Sequence, residues 1–161
     1  MPQTQLKRIG NPTICPAAAI IRNGCILLGF RNYTPDKWKT ISVWTSPGGR
    51  CDEGETVETT LRREVKEETD IDDLKIIDFI DETPGAKKGD IVPIFYATTE
   101  QDFRLMEPAK FSEWKWVPIA EYLLGAPYNK MNPASHKLIS GYITAKIRRS
   151  KWPIYGVDLF K

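Results

Sequence analysis

Short apolar runs, separated by polar residues and turn signals, dominate the first two thirds of the chain. Runs of this length, bounded by Gly, Pro and Asn, predict β-strands. The predicted strands cover residues 17–21, 25–30, 41–45, 74–80, 91–97 and 114–117. The first two flank Arg22-Asn23-Gly24, and Asn-Gly between apolar runs is a strong signal for a hairpin. The polar stretch 32–40 is long enough to form a loop over a site.

Three segments carry the apolar spacing or the boundary residues of helices. They are residues 56–69, the short segment 118–124 before Gly125, and a last helix that begins at Asn132-Pro133. The strands outnumber the helices and do not alternate with them as regular βαβ units. We therefore expect an α/β fold of the α+β kind, with a mixed sheet and helices packed on its faces.

The predicted helix 56–69 places acidic residues beside its apolar stripe. On a helical wheel with about 100° per residue, Val57, Leu61 and Val65 fall within one sector. Glu64 and Glu68 share or border that sector. A charge run is usually a solvated helix face, but other polar residues already occupy the opposite side of this helix. Carboxylates crowded at the edge of a core lose hydration and repel one another, so they need a positively charged partner.

A divalent cation is the partner that this spacing favours. Glu64 and Glu68 lie one turn apart and Glu67 lies three residues after Glu64, so the side chains can converge on one ion or ion cluster. Ligands that are all oxygen select hard cations, Mg²⁺ first and Mn²⁺ as its substitute. The preceding turn, Pro47-Gly48-Gly49, permits a close backbone approach, and a carbonyl there can complete the coordination sphere. Acids, Mg²⁺ and a glycine turn together indicate phosphate chemistry.

Length, charge and cysteine count narrow the class of protein. The 161 residues correspond to about one domain, 1–161, with 1–15 as an N-terminal extension and 150–161 as a C-terminal tail. The formal net charge of +2 gives no argument for nucleic acid as a partner. Three cysteines and a single histidine, His136, disfavour a disulfide framework and a zinc site. We expect His136 to be a helix surface residue.

The distribution of apolar residues also bears on compartment and partners. No apolar run approaches the roughly 18 residues needed to cross a bilayer. Residues 1–16 lack the apolar core of a secretory signal, so we expect a cytoplasmic protein with no membrane partner. The tail 152–160 holds large apolar residues, which we expect to pack on the domain or on a second copy of the chain as a homodimer.

The segment 49–71 resembles the signature of the Nudix (MutT-type) hydrolase family. That pattern is Gly, five residues, Glu, seven residues, and then Arg-Glu-apolar-any-Glu-Glu-any-Gly-apolar. Its charged positions are filled here by Glu55, Arg63, Glu64, Glu67 and Glu68. One position departs from the pattern, because Asp70 stands where glycine is usual. That position follows the helix and favours a left-handed conformation, which Asp tolerates better than most residues.

The resemblance implies an αβα sandwich with a mixed central sheet, and hydrolysis of the pyrophosphate linkage in a nucleoside diphosphate linked to another group. It also implies roles for individual residues. Metal would be bound by Glu64, Glu67, Glu68 and the carbonyl of Gly48, and catalysis would involve Glu64, Arg63, Glu55 and Glu113. Arg63 would orient the glutamates and Glu55 would be an accessory acid. The general base would be Glu64, Glu113 or another acid, and Glu113 is also the candidate for a further metal ligand. A plain surface acid is the competing interpretation of Glu113.

Substrate choice depends on residues outside this segment. The candidates for substrate contact are Arg31, Trp38, Trp44 and Asn132. The arginine would hold a phosphate, the tryptophans would stack on a base and the asparagine would contact a purine edge. A surface arginine, core packing and a helix N-cap are the competing interpretations. We expect a small nucleotide, either a nucleoside triphosphate or a nucleotide sugar, as the substrate. A catalytically silent nucleotide-binding module and a hydrolase of RNA ends or dinucleoside polyphosphates are the alternatives.

Overall fold

A mixed six-stranded sheet forms the centre of the computed structural model, which describes residues 2–32, 42–130 and 133–149. The strands are β1 (Ala17–Arg22), β2 (Cys25–Arg31), β3 (Val43–Thr45), β4 (Lys75–Pro84), β5 (Ile91–Thr98) and β6 (Phe111–Pro118). Their order is β3-β2-β1-β5-β4, and β6 pairs with β2. The β1–β5 pair is parallel and the other pairs are antiparallel, which confirms the expected mixed sheet.

Helices cover the sheet on both faces. They are α1 (Gln3–Leu6), α2 (Val57–Thr69), α3 (Ile119–Leu123) and α4 (Pro133–Arg148). One cluster of buried apolar residues contains Leu61 and Val65 of α2, and a second contains Ile139 and Ile143 of α4. The expected helix–sheet–helix sandwich is therefore confirmed. No helix in the described part of the chain is long and apolar enough to cross a membrane.

Local signals account for the turn between β1 and β2 and for the ends of α2. Asn23 and Gly24 both have positive φ, 52° and 74°, which is the backbone of the predicted two-residue hairpin. The Thr56 side chain accepts a hydrogen bond from the Thr59 amide at 3.2 Å and so caps the start of α2. Asp70 ends the helix in the left-handed region (φ 62°, ψ 15°), and its amide donates to the Lys66 carbonyl at 2.8 Å. This conformation is the one expected at the position where the family pattern has glycine.

Two strands are longer than their apolar patterns indicated. β4 continues to Pro84 rather than stopping near residue 80, and β6 begins at Phe111 rather than 114. β4 is the last strand on its side of the sheet, and most of its side chains are at least partly exposed. Polar residues are therefore tolerated there, because the backbone ladder to β5 forms whatever the side chains are.

The N-terminal residues, which we expected to form an extension, pack beneath the loop that leads into α2. Leu6 and Ile14 are buried in the core. The Gly10 amide donates to the Glu55 carbonyl at 2.7 Å, and the Val57 amide donates to the Arg8 carbonyl at 2.9 Å. This segment thus fixes the backbone that carries Glu55. The predicted tail, 150–161, lies outside the described residues, so its packing and the homodimer stay predictions.

Candidate active site

A cleft of about 560 Å³ opens beside α2. Its floor is formed by Glu64 and Glu68 of α2 together with Gly48 and Gly49 of the turn after β3. Arg31 of β2 and Lys110, just before β6, line the same cleft. The structure therefore joins two of the helix carboxylates, the glycine turn and predicted substrate residues in a single concave site.

Glu68 is the most deeply buried carboxylate of the cleft. Its residue is 1% exposed, yet both carboxylate oxygens have partners. Oε1 accepts a hydrogen bond from the Gly48 amide at 2.9 Å, and Oε2 accepts one from the Lys110 ammonium at 3.0 Å. Burial raises the pKa of Glu68 to about 7, because the lysine and the amide oppose the desolvation only in part. Glu68 is thus a buried carboxylate that is paired with the Lys110 ammonium.

The two glycines of the turn are needed because other atoms occupy the space of a side chain. A Cβ at Gly49 would lie 2.3 Å from the carboxyl carbon of Glu64. A Cβ at Gly48 would lie 2.2 Å from the Pro16 carbonyl oxygen. The glycine pair thus lets the backbone touch the Glu64 carboxylate and, through Gly48, hydrogen-bond to Glu68.

Arg63 connects Glu55 and Glu64 through hydrogen bonds. Its Nε and one terminal nitrogen donate to the two oxygens of Glu55 at 3.0 and 2.9 Å. The other terminal nitrogen donates to Glu64 at 2.9 Å. The guanidinium is the main cause that holds the pKa of Glu55 down to about 2. Burial raises the pKa of Glu64, with Lys110 and Arg63 acting against it. One arginine therefore keeps Glu55 charged and fixes the orientation of Glu64.

Glu67 does not join the other two glutamates in the cleft. Its side chain is 49% exposed and lies 3.5 Å from Arg63. Within residues 2–32, 42–130 and 133–149, no three His, Cys, Asp or Glu side chains are grouped closely enough to hold a metal ion. The arrangement is a pair of carboxylates, Glu64 and Glu68, with Glu67 outside them. Such a pair still suits Mg²⁺, which keeps several waters and binds proteins through one or two carboxylates.

Glu113 lies on β6 opposite Phe30 and is exposed. It is not among the residues that line the cleft, although its charge acts on the pKa of Tyr128, which does line it. A register shift of the β2–β6 ladder at Phe30/Arg31 interrupts the alternation of β6, and both Ser112 and Glu113 are exposed between the buried Phe111 and Trp114. Its assignment as a metal ligand or general base stays a prediction.

Two of the four predicted substrate residues lie in the described part of the chain, and both line the cleft. The Nε atom of Arg31 is buried and has no hydrogen-bond partner among the described residues. Trp44 packs between the rings of Phe30 and Tyr128, at centroid distances of 5.0 and 5.8 Å. Trp38 and Asn132 lie outside the described residues.

The structure adds cleft residues that the sequence did not single out. At one end Tyr122, Tyr128 and His136 form an aromatic wall, with the His136 ring tilted by 38° relative to the Tyr122 ring at a centroid distance of 4.6 Å. His136 is thus a wall residue, and its Nε2 lies 2.8 Å from the Tyr122 carbonyl oxygen. At the other end Arg50 donates two hydrogen bonds to Asp90, at 2.8 and 2.6 Å. No spacing rule links these residues, because they come from separate loops and helices.

A model of the NUDIX domain family matches residues 15–140. The chain belongs to the Nudix family. The match covers every cleft residue described above and leaves out the N-terminal residues that brace Glu55.

Two Nudix hydrolases of Arabidopsis thaliana are related in sequence. The chain is 32% identical over 146 residues to Nudix hydrolase 5, covering 84% of this chain and 45% of that protein. It is 34% identical over 105 residues to Nudix hydrolase 7, covering 59% of this chain and 35% of that protein. The chain therefore spans less than half the length of these two relatives.

The MutT NUDIX hydrolase from Burkholderia pseudomallei has a similar structure. Its TM-score is 0.60 at 25% identity, and the alignment covers 80% of this chain and 98% of that one. Fold, signature and relatives agree on a family of hydrolases that act on phosphoanhydride bonds.

Proposed function

We propose that the protein is a Mg²⁺-dependent hydrolase that cleaves the pyrophosphate linkage of a small nucleotide. The observation that carries the proposal is the pair of glutamates, Glu64 and Glu68, that face one cleft beside Arg31. Glu68 is fixed by a hydrogen bond from the Gly48 amide, and Glu64 is fixed by one from the neighbouring Arg63. Paired carboxylates of this kind serve phosphate chemistry when they hold a hard cation.

The metal site would use Glu68 and Glu64 directly, with the Gly48 carbonyl and the nearby Glu67 as further ligands. Mg²⁺, with Mn²⁺ as a substitute, supplies a Lewis acid for phosphate oxygens and lowers the pKa of a bound water. Arg63 holds Glu64 in place, and Glu55 in turn holds Arg63. This support limits the motion of the carboxylates, which is what a catalytic site requires.

Glu64 is the general base that the geometry favours over Glu113. It lines the cleft, whereas Glu113 is exposed on β6. Glu64 would thus take the proton from the attacking water, and Glu113 would have a lesser, accessory role.

The cleft suits a small nucleotide. A volume of about 560 Å³ is that of a small-molecule site. Arg31 lines the cleft, where its guanidinium can pair with a phosphate group. Trp44, which packs on Tyr128 of the aromatic wall, and the wall itself offer ring faces on which a base can stack. A nucleoside triphosphate and a nucleotide sugar both match this chemistry, and a silent binding module is disfavoured because every charged residue of the signature is retained.

A panel of nucleoside triphosphates, nucleotide sugars and dinucleoside polyphosphates, incubated with Mg²⁺ and with the products identified, tests the proposal. We expect cleavage of a pyrophosphate link and no hydrolysis of phosphate monoesters. In ¹⁸O-water the label should enter one phosphoryl product. Label on a sugar carbon would contradict attack at phosphorus, and binding without turnover across the panel would favour the silent module.

A further inference from the structure

A short turn before β6 holds Lys110 at the edge of the cleft. The Lys110 amide donates to the Glu107 carbonyl at 2.9 Å, and the Lys110 carbonyl accepts from the Asn32 amide at 2.9 Å. The Asn32 side chain also donates to the Pro108 and Ala109 carbonyls at 3.2 Å. The turn is therefore fixed to the end of β2, and the direction from which the lysine enters the cleft is fixed with it.

The Lys110 ammonium lies where the candidate metal ligands face the cleft. It is 3.0 Å from Glu68 Oε2 and 3.8 Å from Glu107 Oε1. Its positive charge also acts on Glu64, whose pKa it lowers. The lysine side chain is 31% exposed, whereas that of Glu68 is 1% exposed. A mobile cation on a four-carbon stem thus neutralises a fixed, buried carboxylate.

We propose that Lys110 is an internal counter-cation that occupies Glu68 in the metal-free protein and that a divalent cation has to displace. Lys110 is then a positioning residue, which acts on the reaction through Glu68. The inference rests on the metal site of the proposed function.

Electrostatics gives this arrangement a consequence for how the site is filled. An ammonium and a divalent cation at one carboxylate repel each other strongly in a partly buried site, so Lys110 weakens binding of the free metal. Lys110 lines the cleft together with Arg31, so a displaced ammonium has an anionic phosphate of the bound nucleotide as its new partner. Lys110 therefore favours entry of a metal together with its nucleotide over entry of the metal alone.

Direct binding of Mn²⁺ in the absence of nucleotide tests the proposal. The decline of the free-Mn²⁺ signal in electron paramagnetic resonance gives the dissociation constant without any assay of activity. Lys110→Met and Lys110→Gln should each bind Mn²⁺ at least about tenfold more tightly than the unmodified protein. Lys110→Arg keeps the charge and should stay within about threefold. Lys75→Met, at an exposed position at the start of β4, removes the same charge far from the cleft and is the matched control.

Nucleotide affinity supplies the second measurement. KM is measured at saturating Mg²⁺ for a nucleotide that the unmodified protein hydrolyses. Lys110→Met and Lys110→Gln should show a higher KM, whereas Lys110→Arg should keep the KM of the unmodified protein. Unchanged or weaker Mn²⁺ binding in both neutral variants would overturn the proposal while leaving the metal site in place. If neither the unmodified protein nor any of the Lys110 variants binds Mn²⁺, with or without nucleotide, the proposed metal site itself is wrong.

Folding of the variants is checked by circular dichroism in EDTA. Removal of the lysine leaves the buried Glu68 without its cation, so the thermal midpoint should fall in EDTA and recover in excess Mn²⁺. A variant that is unfolded in EDTA must regain its spectrum with Mn²⁺. Failure to do so would also overturn the proposal, because the metal would then not replace the ammonium.

Discussion

Replacement of Gly49 by alanine should displace the Glu64 carboxylate while leaving the stability of the fold nearly unchanged. The added Cβ would lie 2.3 Å from Glu64 Cδ and 2.5 Å from Oε2, where an ordinary contact needs at least 3.4 Å. The carboxylate therefore has to move by about 1 Å, and a displacement of that size in a catalytic group costs about 10²-fold in rate. We expect kcat/KM to fall by about that factor.

The same change should cost little stability. The atoms that clash are the carboxylate atoms at the far end of the flexible Glu64 side chain, which can rotate toward the cleft. The free energy of unfolding should therefore fall by less than about 1 kcal/mol, below the 1–3 kcal/mol of an overpacked core. Urea denaturation and the rate on the best nucleotide of the panel measure both quantities in one preparation.

Two other glycines serve as controls for Gly49. At Gly48 the Cβ would meet the Pro16 carbonyl oxygen at 2.2 Å, and backbone cannot swing away, so Gly48→Ala should lose stability as well as activity. Gly141, in α4, has nothing within 4 Å of an added Cβ. Gly141→Ala should gain about 0.5–1 kcal/mol and keep its rate. The reasoning is refuted if Gly49→Ala retains activity within threefold, or if it is destabilised as much as Gly48→Ala.

Three further predictions concern single carboxylates. Glu68→Gln should lower kcat by at least about 10²-fold through loss of a charged metal ligand, whereas Glu113→Gln should stay within about threefold; equal losses in the two variants would contradict the site. Because the pKa of Glu55 is held down to about 2 from a usual value of 4.5, its ion pair stabilises the fold above pH 4.5 and is lost as the pH falls toward 2. Glu55→Gln should therefore have a lower urea midpoint than the unmodified protein at pH 6, with a difference that shrinks toward pH 3; a constant difference would argue against the ion pair. Asp70→Gly should change the free energy of unfolding by less than about 0.5 kcal/mol, since relief of the left-handed strain, about 1 kcal/mol, is opposed by unfolded-state entropy. The glycine variant also loses an exposed ion pair, 3.8 Å long, with Arg104, and a shift in the midpoint equivalent to more than about 1 kcal/mol would show that one of these contributions is misjudged.

The sequence was most informative where structure depends on near neighbours. Helical periodicity alone placed Glu64 and Glu68 beside the apolar stripe of α2, and both line the cleft. The same local logic gave the left-handed Asp70 and the Asn-Gly turn. In each case the spacing of residues within about one helical turn or one β-turn sets the geometry.

The same periodicity could not decide which acids meet. Glu67 has the right spacing for a metal cluster, yet it lies against Arg63 and is half exposed. Glu113 follows the signature at a suitable distance along the chain, but it lies exposed beside the register shift between β2 and β6. Both outcomes depend on which other element of the fold packs against the helix or the strand. The spacing of residues within one element does not predict that packing.

By itself, the sequence determined the fold class, the family and the set of carboxylates on α2 from which the pair comes, because periodicity and a 23-residue signature are local properties of the chain. Only the tertiary structure decided what surrounds that pair. Lys110 reaches Glu68 from 42 positions away in the chain, and the contact of Gly49 with Glu64 arises from the packing of the turn on α2. Contacts of this kind form when separate elements dock on one sheet, so they are set by packing and not by the order of residues.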